Sequence, residues 1–193
     1  MKKNTVKENI LDAALDVVSE NTISGTRMHL IAEKAGVAQS NLHYHFKTKK
    51  DLMLEMYSRM QEKFSKDREE FVENSEDTIH GKINVFFDQK KDIILNNKKC
   101  DRVQFDFWQF GIVNEDAKNL FTETYDTWRK HIFDTLSPFL DGINEEKLKN
   151  ISAVMVSMMI GASLQYLNKP DVFDLDEYFD MCEHMILMEM RYK

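Results

Sequence analysis

The chain has 193 residues, 42% of them hydrophobic and 31% charged, with a net charge of −7. This is the balance of an ordinary globular protein, not of a disordered chain, and two cysteines, Cys100 and Cys182, are too few for a disulfide framework. Only 2 Pro and 6 Gly point to long uninterrupted helices and an all-α fold.

The first helix is predicted from about Thr5 to Glu20. Val6, Ile10, Ala14 and Val17 form one apolar stripe, Leu11, Leu15 and Val18 lie beside it, and Asp12, Asp16 and Glu20 mark the polar face. The start MKKNTVKEN is basic, but this amphipathic continuation differs from the apolar core of a signal peptide. Asn21 reads as a left-handed terminator and Thr26 as the cap of a second helix ending at Ala35 and Gly36. A third helix over about 38–46 is too short to be stable alone, so packing must hold it. Thr48 with Asp51 forms a capping box that opens a fourth helix, whose stripe is Leu52, Met53, Met56, Tyr57, Met60 and Phe64. The polar run KDREEFVEN leads to a loop at 74–77. Further helices are expected at about 78–96, 102–113, 116–136, 145–167 and 175–191, with Pro138, Gly142 and Pro170 as punctuation. The expected architecture is about nine helices without strands.

With Met28 as position one, Ala32 falls at five, Gly36 at nine, Val37 at ten and Leu42 at fifteen. This is helix-turn-helix spacing: a small residue where two helices cross, a glycine where the backbone turns left-handed, and apolar side chains that hold the second helix at a steep angle. Together with ILDAAL (10–15), IAEKAGV (31–37), NLHYHF (41–46) and KTKKDL (47–52), the chain resembles the tetracycline-repressor (TetR) family of bacterial transcription regulators. The resemblance covers about the first quarter as motif and the rest only as size and helix order.

It implies an N-terminal three-helix DNA-binding head, residues 1–49, and a C-terminal helical body for ligand binding and dimerisation, residues 50–193. The implied function is a homodimeric, cytoplasmic repressor that leaves double-stranded operator DNA when a small, largely apolar effector binds. The alternative is a helical protein-interaction module that has lost DNA binding. Charge distribution agrees with a DNA-binding head: residues 1–50 hold eight Lys/Arg against five Asp/Glu, and residues 51–193 hold 18 against 28.

In a helix-turn-helix, the start of the second helix points at base edges, which selects Ala38, Gln39, Ser40, Asn41, His43 and Tyr44. Gln39 has the donor and acceptor to read adenine in bidentate fashion. The resemblance adds His45, Thr26 and Arg27 as contacts to the DNA backbone. Lys49 and Lys50 open the fourth helix, where free N–H groups also favour an anion. Two departures stand out. Ala38 replaces the usual Ser or Thr cap, and Ser40 stands where Gly or Ala is common.

In the body, VQFDFWQFGIV (103–113) places Val103, Phe107 and Phe110 opposite Phe105, Trp108 and Ile112. A helix that is apolar all round is core or the wall of a cavity. The resemblance selects the cavity and implies an effector site from Met60, Gln104, Phe107, Trp108, Phe110, Gly111, Tyr125 and Trp128, with Asp106 and Gln109 as further polar groups. The acidic body and its aromatic rings would also suit a cationic ligand. Ala153, Ser157 and Gly161 form a small-residue stripe, and Phe179, Cys182 and Ile186 an apolar one. Both are expected at a four-helix dimer interface. Tyr178, Met181, Met185 and Met188 form a second stripe.

No cofactor or metal is expected. Of His29, His43 and His45, the last two point to different sides of a helix, and His80, His131 and His184 stand singly. No catalytic motif is present, so an enzyme is not expected. The longest apolar stretch, 151–164, has 14 residues including three serines, too short for a bilayer core about 30 Å thick, so no membrane role is expected.

Overall fold

A computed structural model describes residues 5–139, 142 and 144–191. Among the described residues there are nine α-helices, one short 3-10 turn at Ser137–Phe139 and no strand. The helices are α1 Val6–Gly25, α2 Met28–Lys34, α3 Gln39–His45, α4 Lys49–Asn74, α5 Ile79–Asn96, α6 Lys98–Val113, α7 Glu115–Leu136, α8 Glu145–Asn168 and α9 Leu175–Arg191.

The chain forms two compact units. The first holds the residues up to Phe64 together with Asn97–Thr122, and the second holds Ser65–Asn96 with the residues from Glu123 onward. Packing therefore does not divide the chain at the expected boundary after Lys49. The reason is α6, which lies along α1 within the first unit. Helices α4 and α7 each contribute to both units.

In the first unit, α1 opens on a reciprocal capping box. Glu8 N–H donates to Thr5 Oγ1 (3.2 Å), and Thr5 N–H donates to Glu8 Oε2 (2.6 Å). The helix breaks at Thr22, whose φ of 61° and ψ of 165° are left-handed, one residue later than the expected Asn21. Asn21 instead turns its side-chain amide back to the Val17 carbonyl (3.0 Å). A final helical turn, residues 23–25, follows the break.

Thr26 is also not the cap of α2. Its side chain is buried, and its hydroxyl donates to the Thr22 carbonyl at 2.7 Å. Arg27 occupies the cap position and makes no side-chain cap bond. Between α2 and α3, Gly36 adopts φ 65°, and Val37 N–H donates to the Ala32 carbonyl (3.0 Å). Ile31, Ala32, Leu42 and Phe46 are buried, so α3 is held by its inward side chains. Ala38 leaves the start of α3 without a side-chain cap, as its sequence implies.

The capping box of α4 forms as expected, with Asp51 N–H to Thr48 Oγ1 and Thr48 N–H to Asp51 Oδ2, both 3.1 Å. Helices α4 and α6 run antiparallel. Lys50 pairs with Asp116 just beyond α6 (2.7 Å), Tyr57 stacks on Phe107 with ring centroids 3.8 Å apart, and the charge of Lys63 acts on Cys100.

The second unit packs α5 and the later part of α7 with α8 and α9 around Phe86, Phe87, Ile132, Met155, Met159 and Phe179. Phe179, Cys182 and Ile186, expected at a dimer interface, belong to this internal core, and the Phe87 and Phe179 rings stack at 5.1 Å. The stripe of α9 that faces its own chain is this one, because α9 packs on both α5 and α8. By length and composition α8 is apolar enough to cross a membrane, but its Ile151, Met155, Val156, Met159 and Ala162 pack into the same core.

Gly36 has open space where a Cβ would stand, so its backbone alone decides what it tolerates. Gly36→Ala is expected to lower stability by about 1–2 kcal/mol, the cost of placing an L side chain in the left-handed region. Urea unfolding of the whole chain checks this, and an unchanged midpoint would refute it.

Candidate functional site

The head presents a polar face built on an apolar anchor. Gln39, Ser40, Asn41, His43 and Tyr44 are exposed on α3, while Leu42 between them is fully buried. Tyr44 is 77% exposed, and its ring meets His45 edge-on at 5.2 Å. Ala38 is exposed at the start of α3 and His45 half-buried at its end. These side chains stand on the outer face of a helix whose inner face is fixed.

The flanking cations have a second duty. Lys49 donates its Nζ to the Thr26 carbonyl (2.7 Å), and burial, then the neighbouring Arg27, pushes its pKa down. Arg27 is exposed and bonds the carbonyls of Ser24 (3.0 Å) and Thr26 (3.3 Å). Lys50 is committed to Asp116. Thr26 cannot present its hydroxyl outward because it is buried and bonded within the turn, which corrects its expected role as a phosphate contact.

Asp106 joins the same turn. Its carboxylate accepts the Ile23 N–H at the helical restart after Thr22, where an N–H would otherwise lack a partner. Burial pushes its pKa up, against the pull of that bond. Asp106, Gln109 and Phe110 line an open cleft of about 500 Å³ with Ile23, Lys49 and Met53. Sequence reasoning assigned Asp106 and Gln109 to a ligand. It missed that α6 packs beside the helix-turn-helix, because no local pattern reports that pairing.

Helix α6 buries one side and leaves the other exposed. Val103, Gln104, Phe107 and Gly111 are buried, while Trp108 is 55% exposed and Ile112 and Val113 lie open. A Cβ on Gly111 would sit 3.3 Å from the Lys118 Cα, so this glycine permits close backbone approach. Met60 is buried on α4. Buried amide atoms of Gln61 and Gln104 have no hydrogen-bond partner among the described residues, and the antiparallel register places the two residues at the same level of α4 and α6.

In the second unit, the Tyr125 and Trp128 rings stack at 5.9 Å. Burial pushes the Tyr125 phenol well above its ordinary range. Trp128 also covers Arg68, whose guanidinium carbon lies 5.3 Å from the ring centre. Arg68 is 4% exposed, and burial lowers its pKa to about 10. Its Nε donates to Gln89 Oε1 (2.9 Å), and its Nη1 lies 3.2 Å from His131 Nδ1. Burial, then Arg68 itself, pushes the His131 pKa down. Sequence reasoning passed over Arg68 as part of a polar run, although it continues the Met60 and Phe64 stripe at a spacing of four.

On the last helices Ala153 and Gly161 are half-buried and Ser157 is exposed. The exposed apolar groups beside them are Val154 and Leu164 of α8 and Met181, Met185 and Met188 of α9. Among the described residues no group of three or more His, Cys, Asp or Glu side chains is placed to hold a metal ion.

Residues 10–56, which include the turn and α3, match the family model described as bacterial regulatory proteins, tetR family. This stretch of the chain is similar to the N-terminal region of the tetR family. The chain is 48% identical over 48 residues to the HTH-type transcriptional regulator RutR of Escherichia coli, covering 25% of this chain and 23% of RutR. A TetR transcriptional regulator from Legionella pneumophila has the same fold, with a TM-score of 0.80 and 20% identity over 97% of this chain and 98% of that one. The transcriptional regulator FadR from Bacillus subtilis, in complex with stearoyl-CoA, gives a TM-score of 0.80 and 16% identity over 94% and 97% of the two chains. The matches to curated relatives span less than two thirds of those proteins, from 23% to 59% of their lengths.

Asp106→Ala leaves the Ile23 N–H without its acceptor and is expected to cost about 0.5–2 kcal/mol, as loss of a helix cap does. Hydrogen exchange at Ile23 should accelerate relative to Leu42. Unchanged protection at Ile23 would remove Asp106 from the support of this turn.

Proposed function

We propose that this chain is a DNA-binding transcription regulator of the tetR family that acts as a homodimeric repressor and is released from its operator by a small, largely apolar effector. The observation that carries the reading is the outward polar face of α3, with Gln39, Ser40, Asn41, His43 and Tyr44 exposed around the buried Leu42. Gln39 and Asn41 carry the paired donor and acceptor that suit adenine, and Arg27 and Tyr44 suit the backbone. The functional head is residues 1–49 and the responsive body residues 50–193. The head borrows α6 for support. The protein works in the cytoplasm.

Two copies would associate through α8 and α9, with the exposed Val154, Ser157 and Leu164 beside Met181, Met185 and Met188. Exposed flexible thioethers of this kind make adaptable contact surface. Each copy would read one half of an inverted repeat, with recognition helices about 34–36 Å apart or a multiple of it.

Effector response would reach the head through α6 and α4, because Asp106 and Lys49 both bond the turn that precedes α2. A coupling of about 1–3 kcal/mol changes operator affinity about 5–150-fold. The buried, unpartnered amide atoms of Gln61 and Gln104 in the first unit, and the Tyr125 and Trp128 pair in the second, support a ligand-responsive body. The Bacillus subtilis neighbour bound to stearoyl-CoA supports an effector with apolar bulk.

Tyr44→Ala should weaken binding to inverted-repeat DNA flanking its own gene by about ten-fold, a loss of one charge-free backbone or methyl contact, without changing helical content. A gel-shift titration at two salt concentrations checks this, and wild-type affinity would place Tyr44 off the DNA. In a separate experiment, Leu164→Glu with Met185→Glu should convert the dimer to monomer in light scattering at micromolar concentration. Persistence of a dimer would move the interface elsewhere.

A further inference from the structure

The cleft beside the helix-turn-helix is built like a small-molecule site. Its volume of about 500 Å³ falls within the range of roughly 300–1,000 Å³ usual for ligand pockets, which join a mostly apolar wall to a few placed polar groups. Ile23, Met53, Phe110 and Val113 supply the apolar wall, and Lys49 and Asp106 supply polar groups. All six belong to the first compact unit and come from the last turn of α1, the start of α4 and the second half of α6.

Both polar groups have capacity to spare. One Asp106 oxygen accepts the Ile23 N–H, and the other carries no hydrogen bond among the described residues. Lys49 has given one of its three N–H donors to the Thr26 carbonyl. The two side chains are close enough for the charge of Asp106 to act on Lys49. Lys50, also in the lining, is already paired with Asp116.

This lining discriminates by charge. An organic anion would face the Asp106 carboxylate, and an organic cation would face Lys49 and Lys50. A neutral hydroxyl can donate to the carboxylate and accept from the ammonium. An aromatic ring suits the apolar wall, because Phe110 offers a ring and Met53 a thioether.

We infer that this cleft binds a neutral aromatic alcohol, with its hydroxyl between Asp106 and Lys49 and its ring against Phe110, Met53 and Val113. Occupancy changes the head from within, since the same two side chains hold the turn that precedes α2. The site goes beyond the effector-responsive body proposed above, because it lies on the unit that carries α3 and needs no signal from the second unit.

The isotopically labelled full-length protein is titrated with 2-naphthol, naphthalene, 2-naphthoate and 2-naphthylmethylammonium at neutral pH. Calorimetry gives the affinities, and the backbone amide signal of Ile23 reports whether the cleft is occupied. The naphthol should bind saturably, shift the Ile23 signal and bind about ten-fold or more tightly than naphthalene, as a hydrogen bond to a charged group predicts. It should also bind more tightly than both charged probes. Asp106→Asn keeps an oxygen for the Ile23 N–H and removes the charge, so the preference for naphthol over naphthalene should fall to about three-fold or less. Val113→Asp, at a position 84% exposed, should fold as wild type and weaken both neutral probes about five-fold or more, and it serves if Asp106→Asn does not fold.

Absence of saturable naphthol binding, equal affinity for naphthol and naphthalene, tighter binding of either charged probe, binding that leaves the Ile23 signal in place, or a naphthol preference that survives Asp106→Asn would overturn the inference. Gel shifts of inverted-repeat DNA flanking the gene, with and without naphthol, test control of the head separately. Unchanged operator affinity in a saturated complex would overturn that control while the Ile23 shift still fixes the site. Failure of the unliganded protein to bind DNA would count against the repressor reading and not against the cleft.

Discussion

The turn from α1 into α2 hangs on three polar bonds, and the placement of α3 depends on them. The chain leaves α1 through a left-handed threonine, Thr22, restarts for one turn and then buries Thr26. The Asp106 carboxylate takes the Ile23 N–H, the Lys49 ammonium takes the Thr26 carbonyl, and the Thr26 hydroxyl closes back on Thr22. None of these bonds is within a regular helix ladder. They come from α6, from α4 and from the turn itself, so the orientation of α2 is set by side chains far apart in sequence. That is why α6 belongs to the same compact unit as the helix-turn-helix although it follows it by more than fifty residues.

Local chemistry was legible in the sequence, and partnership was not. The Thr48 and Asp51 capping box, the left-handed Gly36 and the uncapped Ala38 each follow from residue type at a fixed spacing, and the structure has all three. Thr26 misled because a threonine before a helix has two uses: it can cap the helix ahead or close on the one behind. Only the Thr22 carbonyl, which accepts the Thr26 hydroxyl, decides between them.

On α9 the difficulty was of another kind. A helix with two apolar stripes does not declare which one its own chain will cover. Phe179, Cys182 and Ile186 went inward because α9 packs on α5 and α8, with Phe179 stacked on Phe87 of α5, leaving the methionine stripe outside. Likewise, the aromatic density of α6 concealed an ordinary one-sided helix in which Phe107 is buried and Trp108 is not. Arg68 was hidden by its neighbours, Asp67 and Glu69, which make its segment look like solvated surface.

The structure of α3 also bears on how such a head changes over evolutionary time. The side chains that fasten it, Leu42 and Phe46, face inward, and those that face outward, from Gln39 to Tyr44, carry no hydrogen bond or ion pair among the described residues. Surface substitutions away from structural features generally alter stability by no more than about 0.5 kcal/mol. The outward face can therefore accept new residues, one or several at a time, with little loss of folded protein. A lineage carrying this head can explore new base preferences without first acquiring compensating mutations in the core.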